Sequence, residues 1–152
     1  MIVGECKDTF QQEYRKKVEK KIEELCIGES VDVRLNLNRG AMDAMYRASD
    51  LYVLPSTGEP AAVSILEAMS YSIPAVCGDG NGTCDYITPG VSGDIFRDRN
   101  ADDLYRALET MVSDPEKLRK LGLGAWQSIN EDYIFPKYLE ALEAVPDRLS
   151  RA

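Results

Sequence analysis

The sequence predicts an α/β fold, a doubly wound parallel sheet, on three observations. Short β-like apolar runs alternate with longer helical patterns along the chain, which implies βαβ units. Proline and glycine close several of these runs, at Pro55, in the glycine-rich stretch 78–82 and at Pro89-Gly90. No internal repeat or low-complexity linker interrupts the 152 residues, which is a length suited to one domain with a proper core. In such a sheet, ligands bind outside the carboxyl ends of the strands.

The elements follow in order. Residues 2–4 read as the end of a strand. Residues 9–25 read as a helix, because Tyr14, Val18, Ile22 and Leu25 recur on one face. Residues 31–37 alternate as a strand, 41–48 form a short helix, and 51–54 form a strand closed by Pro55. Residues 61–71 read as a helix with Pro60 near its first position, where proline is tolerated. A strand at 73–77 leads to a glycine-rich loop at 78–82 and a short helix through 87. A turn at 88–90 precedes a strand at 91–96. Residues 101–112 form an amphipathic helix with Asp102 and Asp103 in its first turn, where acids suit the helix dipole. Helices at 115–130 and 136–149 complete the chain, with a helical C-terminal tail (136–150) whose last residues, from 146, are loosely held. A doubly wound sheet should open on a full strand and crossover helix, whereas the first run here has three residues. The expectation is a domain over 1–152 lacking its first strand and helix, with exposed strand edges that favour homo-oligomers or marginal stability.

Composition excludes several functions. The net charge of −8 argues against nucleic-acid binding and against an anionic membrane surface. The one basic run, Arg15, Lys16, Lys17, Lys20 and Lys21, interleaves with Glu13, Glu19, Glu23 and Glu24 and reads as a solvated helix face. The chain has no histidine, so Ser-His-Asp hydrolysis, Cys-His proteolysis and histidine-ligated metal catalysis are excluded within it. Acid–base work falls to carboxylates, Lys, Tyr or Cys. Cys6, Cys26, Cys77 and Cys84 form no CxxC and read as reduced, partly buried thiols. No secretory signal and no membrane-length apolar run is visible, so a cytoplasmic location is expected.

The chemistry concentrates between residues 51 and 70. Glu59 precedes the predicted helix and Glu67 lies within it. On one helix, eight residues separate two carboxylates by ~12 Å along the axis and by only about 80° around it. Between them the helix N-terminus would offer the amides of Ala61, Ala62 and Val63. Such an array suits an extended ligand with a central anion and a polyol at each end, and a nucleoside diphosphate sugar is of that kind. Glycoside hydrolysis would need two carboxylates flanking a sugar ring, which one rigid element cannot provide.

The residues Asp50-Leu-Tyr-Val-Leu-Pro-Ser56, Glu59-Pro60, Leu66-Glu67-Ala68-Met69, Ile73-Pro74-Ala75-Val76, Asp79, Asn81-Gly82 and Asp85 carry a resemblance. Pro89-Gly90-Val91-Ser92-Gly93 and, at the front, Ile2-Val3-Gly4-Glu5 extend it. Together they resemble the signature of the large retaining glycosyltransferase family 4, whose fold pairs two Rossmann-like domains (GT-B). The resemblance implies the C-terminal, donor-binding half of that fold. It implies that Glu59 is the catalytic-site residue that binds donor sugar hydroxyls, and that Glu67 binds the ribose. Pro60 completes the motif, and the amides of Ala61, Ala62 and Val63 would hold the distal phosphate. The segment Asn36, Leu37, Asn38 and Arg39 aligns with the region contacting the nucleobase, although Arg39 itself reads as a surface residue. The loop at 78–82 either shapes the crevice rim or only turns the chain.

The sequence departs from the pattern at three places. The family's "E-P-F-G" is Glu59-Pro60-Ala61-Ala62, its paired glycines are Asn81-Gly82, and the acid that follows is Asp85 rather than Glu. The family's diphosphate-clamping Arg and Lys would lie before Met1, as would its acceptor-binding N-terminal domain, through which membrane association is expected. The implied reaction is metal-independent, cofactor-free hexosyl transfer from a nucleotide-sugar donor to an acceptor hydroxyl, in polysaccharide or glycoconjugate synthesis. The isolated chain is expected to be inactive. The rival readings are a non-catalytic donor-binding module acting with a separate acceptor-domain chain, and a GT-B nucleotide-sugar epimerase.

Overall fold

A computed structural model of the chain describes residues 1–143. It divides into two compact units, Met1–Met45 and the part from Tyr46 onward.

The first unit is a βαβ arrangement. Strand β1 (Ile2–Gly4) pairs in parallel with β2 (Val33–Leu35), Ile2 opposite Val33 and Gly4 opposite Leu35. Helix α1 (Thr9–Glu24) connects them. It starts on a capping box, with the Asp8 carboxylate accepting from the Gln11 amide at 2.8 Å while the Gln11 side chain reaches back. The basic run lies along exposed helix, paired as Arg15–Glu19 (2.6 Å) and Lys20–Glu24 (3.8 Å). The predicted apolar stripe is only half covered: Val18 and Ile22 are partly buried, while Tyr14 and Leu25 are 61% and 53% exposed. A two-stranded sheet of three residues per strand offers too little surface to cover more. Helix α2 (Arg39–Arg47) begins in this unit and its last two residues belong to the next.

The second unit holds a three-stranded parallel sheet in the order β3 (Tyr52–Leu54), β4 (Ala75–Gly78), β5 (Gly93–Phe96). Central β4 is buried along its whole length, which explains its unbroken apolar sequence. Ala75 and Cys77 pack with Ile65 and Met69 of α3 (Val63–Ser70), with Ile87, and with Ala125 of α5 (Pro115–Asp132). On the other face Val76 and Phe96 pack with Ala107 and Met111 of α4 (Ala101–Val112) and with Leu121. Asn100 caps α4 by accepting from the Asp103 amide, and Asp114 caps α5, where Pro115 opens the helix. A 3₁₀ turn, Gly82–Tyr86, follows β4. Helix α6 (Phe135–Glu143) begins one residue before the expected start. Residues 144–149 of that expected helix and the tail beyond it lie outside the described residues, and Leu139 is exposed.

All four cysteines are free thiols. Burial pushes the Cys77 thiol up from 9.0 to about 11 and holds the Tyr46 phenol well above its ordinary 10.0. Both groups keep their protons more tightly when folded than when unfolded. Their contribution is therefore complete below about pH 9 and fades as the pH rises toward and past 11, at up to about 1.4 kcal/mol per pH unit per group. The urea midpoint should be lower at about pH 10.5 than at about pH 8, and Cys77→Ala should lose less over that interval than the wild type. An equal loss in both would count against a buried, titrating Cys77.

Candidate functional site

The loop between β3 and α3 carries Glu59, and α3 carries Glu67. The helix begins later than its proline suggested. Ala62 is the N-cap, in extended conformation (φ −77°, ψ 110°) and without a side-chain cap, and Val63 is the first helical residue. Pro60 therefore lies outside the helix, and Ala61 precedes the cap. The cause is tertiary. Hydrogen bonds to the loop at 78–82 hold Glu59 on both sides of its backbone: its amide donates to Asn81 Oδ1 (2.7 Å), and its carbonyl accepts from the Gly82 amide (3.0 Å). The two glutamates consequently stand on different elements, and a separation along a single helix does not describe them.

Three features keep the loop in place. Asn81 is 3% exposed, and its Nδ2 donates to the carbonyls of Ser56 (2.6 Å) and Gly78 (3.3 Å). A methyl group at Gly82 would collide with the Pro60 carbonyl, so glycine is what lets the two loops touch. Thr57 Oγ1 donates to Asp98 Oδ1 (3.0 Å), whose own amide donates to Asp79 Oδ1 (2.7 Å). The segment at 78–82 thus holds the Glu59 backbone as well as turning the chain. The Glu59 side chain is half-buried, and among the described residues no hydrogen bond or ion pair engages its carboxylate. Nor does one engage the amides of Ala61, Ala62 and Val63, the last being 64% exposed.

Glu67 is exposed and half committed. Its Oε2 accepts from the Tyr46 hydroxyl at 3.0 Å, which leaves Oε1 open. Tyr46 is 7% exposed and stacks on Tyr71 with centroids 5.3 Å apart, while the Arg47 guanidinium lies 5.2 Å from the Tyr71 centroid. Burial first, and the bond to Glu67 second, hold the Tyr46 proton on its oxygen, so Tyr46 stays a donor. Tyr52 in turn donates to Ser64 Oγ at 2.8 Å, fixing the first turn of α3 to β3. A cavity of about 720 Å³, lined by Tyr46, Arg47, Tyr71, Leu118 and Arg119 among others, contains neither glutamate.

In the first unit, the predicted nucleobase segment is occupied with backbone work. Asn36 takes the left-handed conformation (φ 52°), accepts from the Cys6 amide (2.9 Å) and donates to the Cys6 carbonyl (3.3 Å). Asn38 Oδ1 accepts from the Ala41 amide (2.9 Å) and caps α2. Leu37 is half-buried, and Arg39 is exposed at the start of α2. Reasoning from sequence missed Asn81 and Tyr46. The signal for Asn81 was its departure from a glycine in the resembled motif, whereas Tyr46 had none beyond its position at the end of a short helix. Among the described residues no helix is long and apolar enough to cross a membrane, and no group of three Cys, Asp or Glu is placed to hold a metal ion.

Comparison with known proteins gives the arrangement its context. The glycogen synthase of Chlamydia felis is 29% identical over 114 residues, covering 74% of this chain and 23% of that protein. Sucrose-phosphate synthase from Thermosynechococcus elongatus superposes with a TM-score of 0.82 at 20% identity, over 99% of this chain and 38% of that one. The Anabaena protein Alr3699/HepE, solved in complex with UDP, superposes at 0.76 and 22% identity, over 99% of this chain and 40% of that one. This chain therefore spans well under half the length of these relatives. Their shared architecture is the GT-B fold, and the chain matches its Rossmann-like C-terminal half. The family model described as glycosyl transferases group 1 matches residues 1–126, and with five-sixths of its length inside that match, this chain belongs to the glycosyl transferases group 1 family.

Proposed function

We propose that this chain binds a nucleoside diphosphate sugar and forms the donor side of a retaining hexosyltransferase acting on an acceptor hydroxyl in polysaccharide or glycoconjugate synthesis. The observation that carries the reading is the open run of amides at Ala61, Ala62 and Val63, with the Glu59 carboxylate before it and the Glu67 carboxylate beyond it. The diphosphate would lie on those amides at the positive end of α3. Glu67 Oε1 would accept from the ribose hydroxyls, its other oxygen being held by Tyr46. Glu59 would accept from the sugar hydroxyls. Support for the leaving diphosphate is electrostatic and preorganised. Membership of the family and the UDP-bound state of the Anabaena protein support a nucleotide-sugar donor.

Calorimetry with UDP, GDP, ADP and their glucose conjugates tests the reading. One of the nucleotides should bind, and Glu67→Ala should weaken it by roughly 1.5–3 kcal/mol, the worth of a hydrogen bond to a charged group. Unchanged affinity in Glu67→Ala would remove the ribose assignment.

A further inference from the structure

We propose that Asn81 is a positioning residue that sets Glu59 and, through it, the part of donor affinity that depends on the sugar; this rests on the reading of Glu59 as the sugar-side carboxylate. Asn81 is a buried polar side chain with every amide hydrogen used. Its Nδ2 donates to Ser56 beyond β3 and to Gly78 at the end of β4, and its Oδ1 accepts from the Glu59 amide. One side chain therefore joins two strand ends to the residue that carries the carboxylate. The closest of these bonds, 2.6 and 2.7 Å, hold the start of the loop at Ser56 and its middle at Glu59. The Glu59 side chain has no hydrogen bond of its own among the described residues, so what fixes the region its carboxylate can reach is its backbone, and that backbone is held by Asn81 and Gly82. The Glu67 carboxylate is held independently, by Tyr46. Asn81 should therefore act on one end of the ligand only.

Asn81→Gly removes the three side-chain bonds and adds no atom that could clash. Hydrogen exchange in the peptide covering 57–62 should rise about tenfold, the loss expected when a segment gives up one or two net hydrogen bonds. The binding readout is the ratio of affinities for the glucose conjugate and for the bare diphosphate, measured with UDP, GDP and ADP. Asn81→Gly should lower that ratio about tenfold and leave the bare diphosphate within about twofold, and Glu59→Ala should do the same. The double variant should lose no more than either alone, because both act through one carboxylate. Equal weakening of both ligands in Asn81→Gly would show a general structural role and overturn the proposal. So would a preserved ratio, or unchanged exchange. If Glu59→Ala leaves the ratio intact while Asn81→Gly speeds exchange, Asn81 holds the loop but the sugar-side assignment of Glu59 fails. If no diphosphate binds, the donor reading and this inference fall together.

Discussion

Gly93→Ala should cost the unit that begins at Tyr46 about 3 kcal/mol or more, a large part of the stability of a typical domain. Gly93 opens β5 and pairs with Ala75 of β4. A Cβ there would overlap the Ala75 carbonyl oxygen and lie 2.9 Å from its carbon and 3.0 Å from its nitrogen. The obstacle is backbone, so no rotamer change relieves it. It is also the backbone of the central strand, whose Ala75, Val76 and Cys77 are 0% exposed and pack on both faces. Moving β4 aside would loosen the contacts with α3 and α4 together. Gly4→Ala is the control: a Cβ there meets nothing within 4 Å, and its cost should stay within about 0.5 kcal/mol. Urea denaturation followed by circular dichroism should show a lower midpoint at similar slope for Gly93→Ala alone. A wild-type midpoint would mean that β4 and β5 do not approach this closely.

That close approach was not legible in the sequence, where Gly93 falls inside the strand expected at 91–96 with nothing to mark its neighbour, but much else was. Helix α4 occupies residues 101–112 as expected, because Asn100 caps it and Asp102 and Asp103 suit its first turn. The β4 run was recognisable because a strand buried on both faces must be apolar throughout. The errors share one cause. Local cues placed Pro60 at the head of α3, yet hydrogen bonds from a segment more than twenty residues away hold the Glu59 backbone, and the helix starts only at Val63. The expected strand at 31–37 shrinks to Val33–Leu35, since its partner β1 has only three residues and Asn36 turns away to bind Cys6. Carboxylates announce themselves by type and spacing, so Glu59 and Glu67 could be singled out. Asn81 was marked only by its departure from a glycine of the resembled motif, because in a glycine-rich stretch it looks like a turn residue. Its role exists only where the ends of β3 and β4 and the Glu59 loop converge.

Incubated with labelled nucleotide sugars and mixed acceptors, the 152-residue chain alone should form no detectable glycoside. The groups assigned to the donor, Glu59, Glu67 and the amides of Ala61 to Val63, lie in or next to a single helix of eight residues. On the proposed reading they would bind one reactant and support a departing diphosphate, and none of them is assigned to align a second. Alignment of two reactants accounts for up to ~7–11 kcal/mol of a barrier, which no donor contact here replaces. The chain has no histidine, and the Tyr46 phenol, with its proton held above the ordinary value by burial, is a poor base. Relatives such as the Chlamydia glycogen synthase, of which this chain covers 23%, have ample further length for an acceptor-binding domain. Supplying such a domain as a separate chain should restore transfer, and Glu59→Ala in the reconstituted pair should abolish it while diphosphate binding persists. Robust transfer by the chain alone would overturn the division of labour. Transfer that appears only with the second domain, and only with Glu59 intact, would place this chain as the donor half of a two-part catalyst.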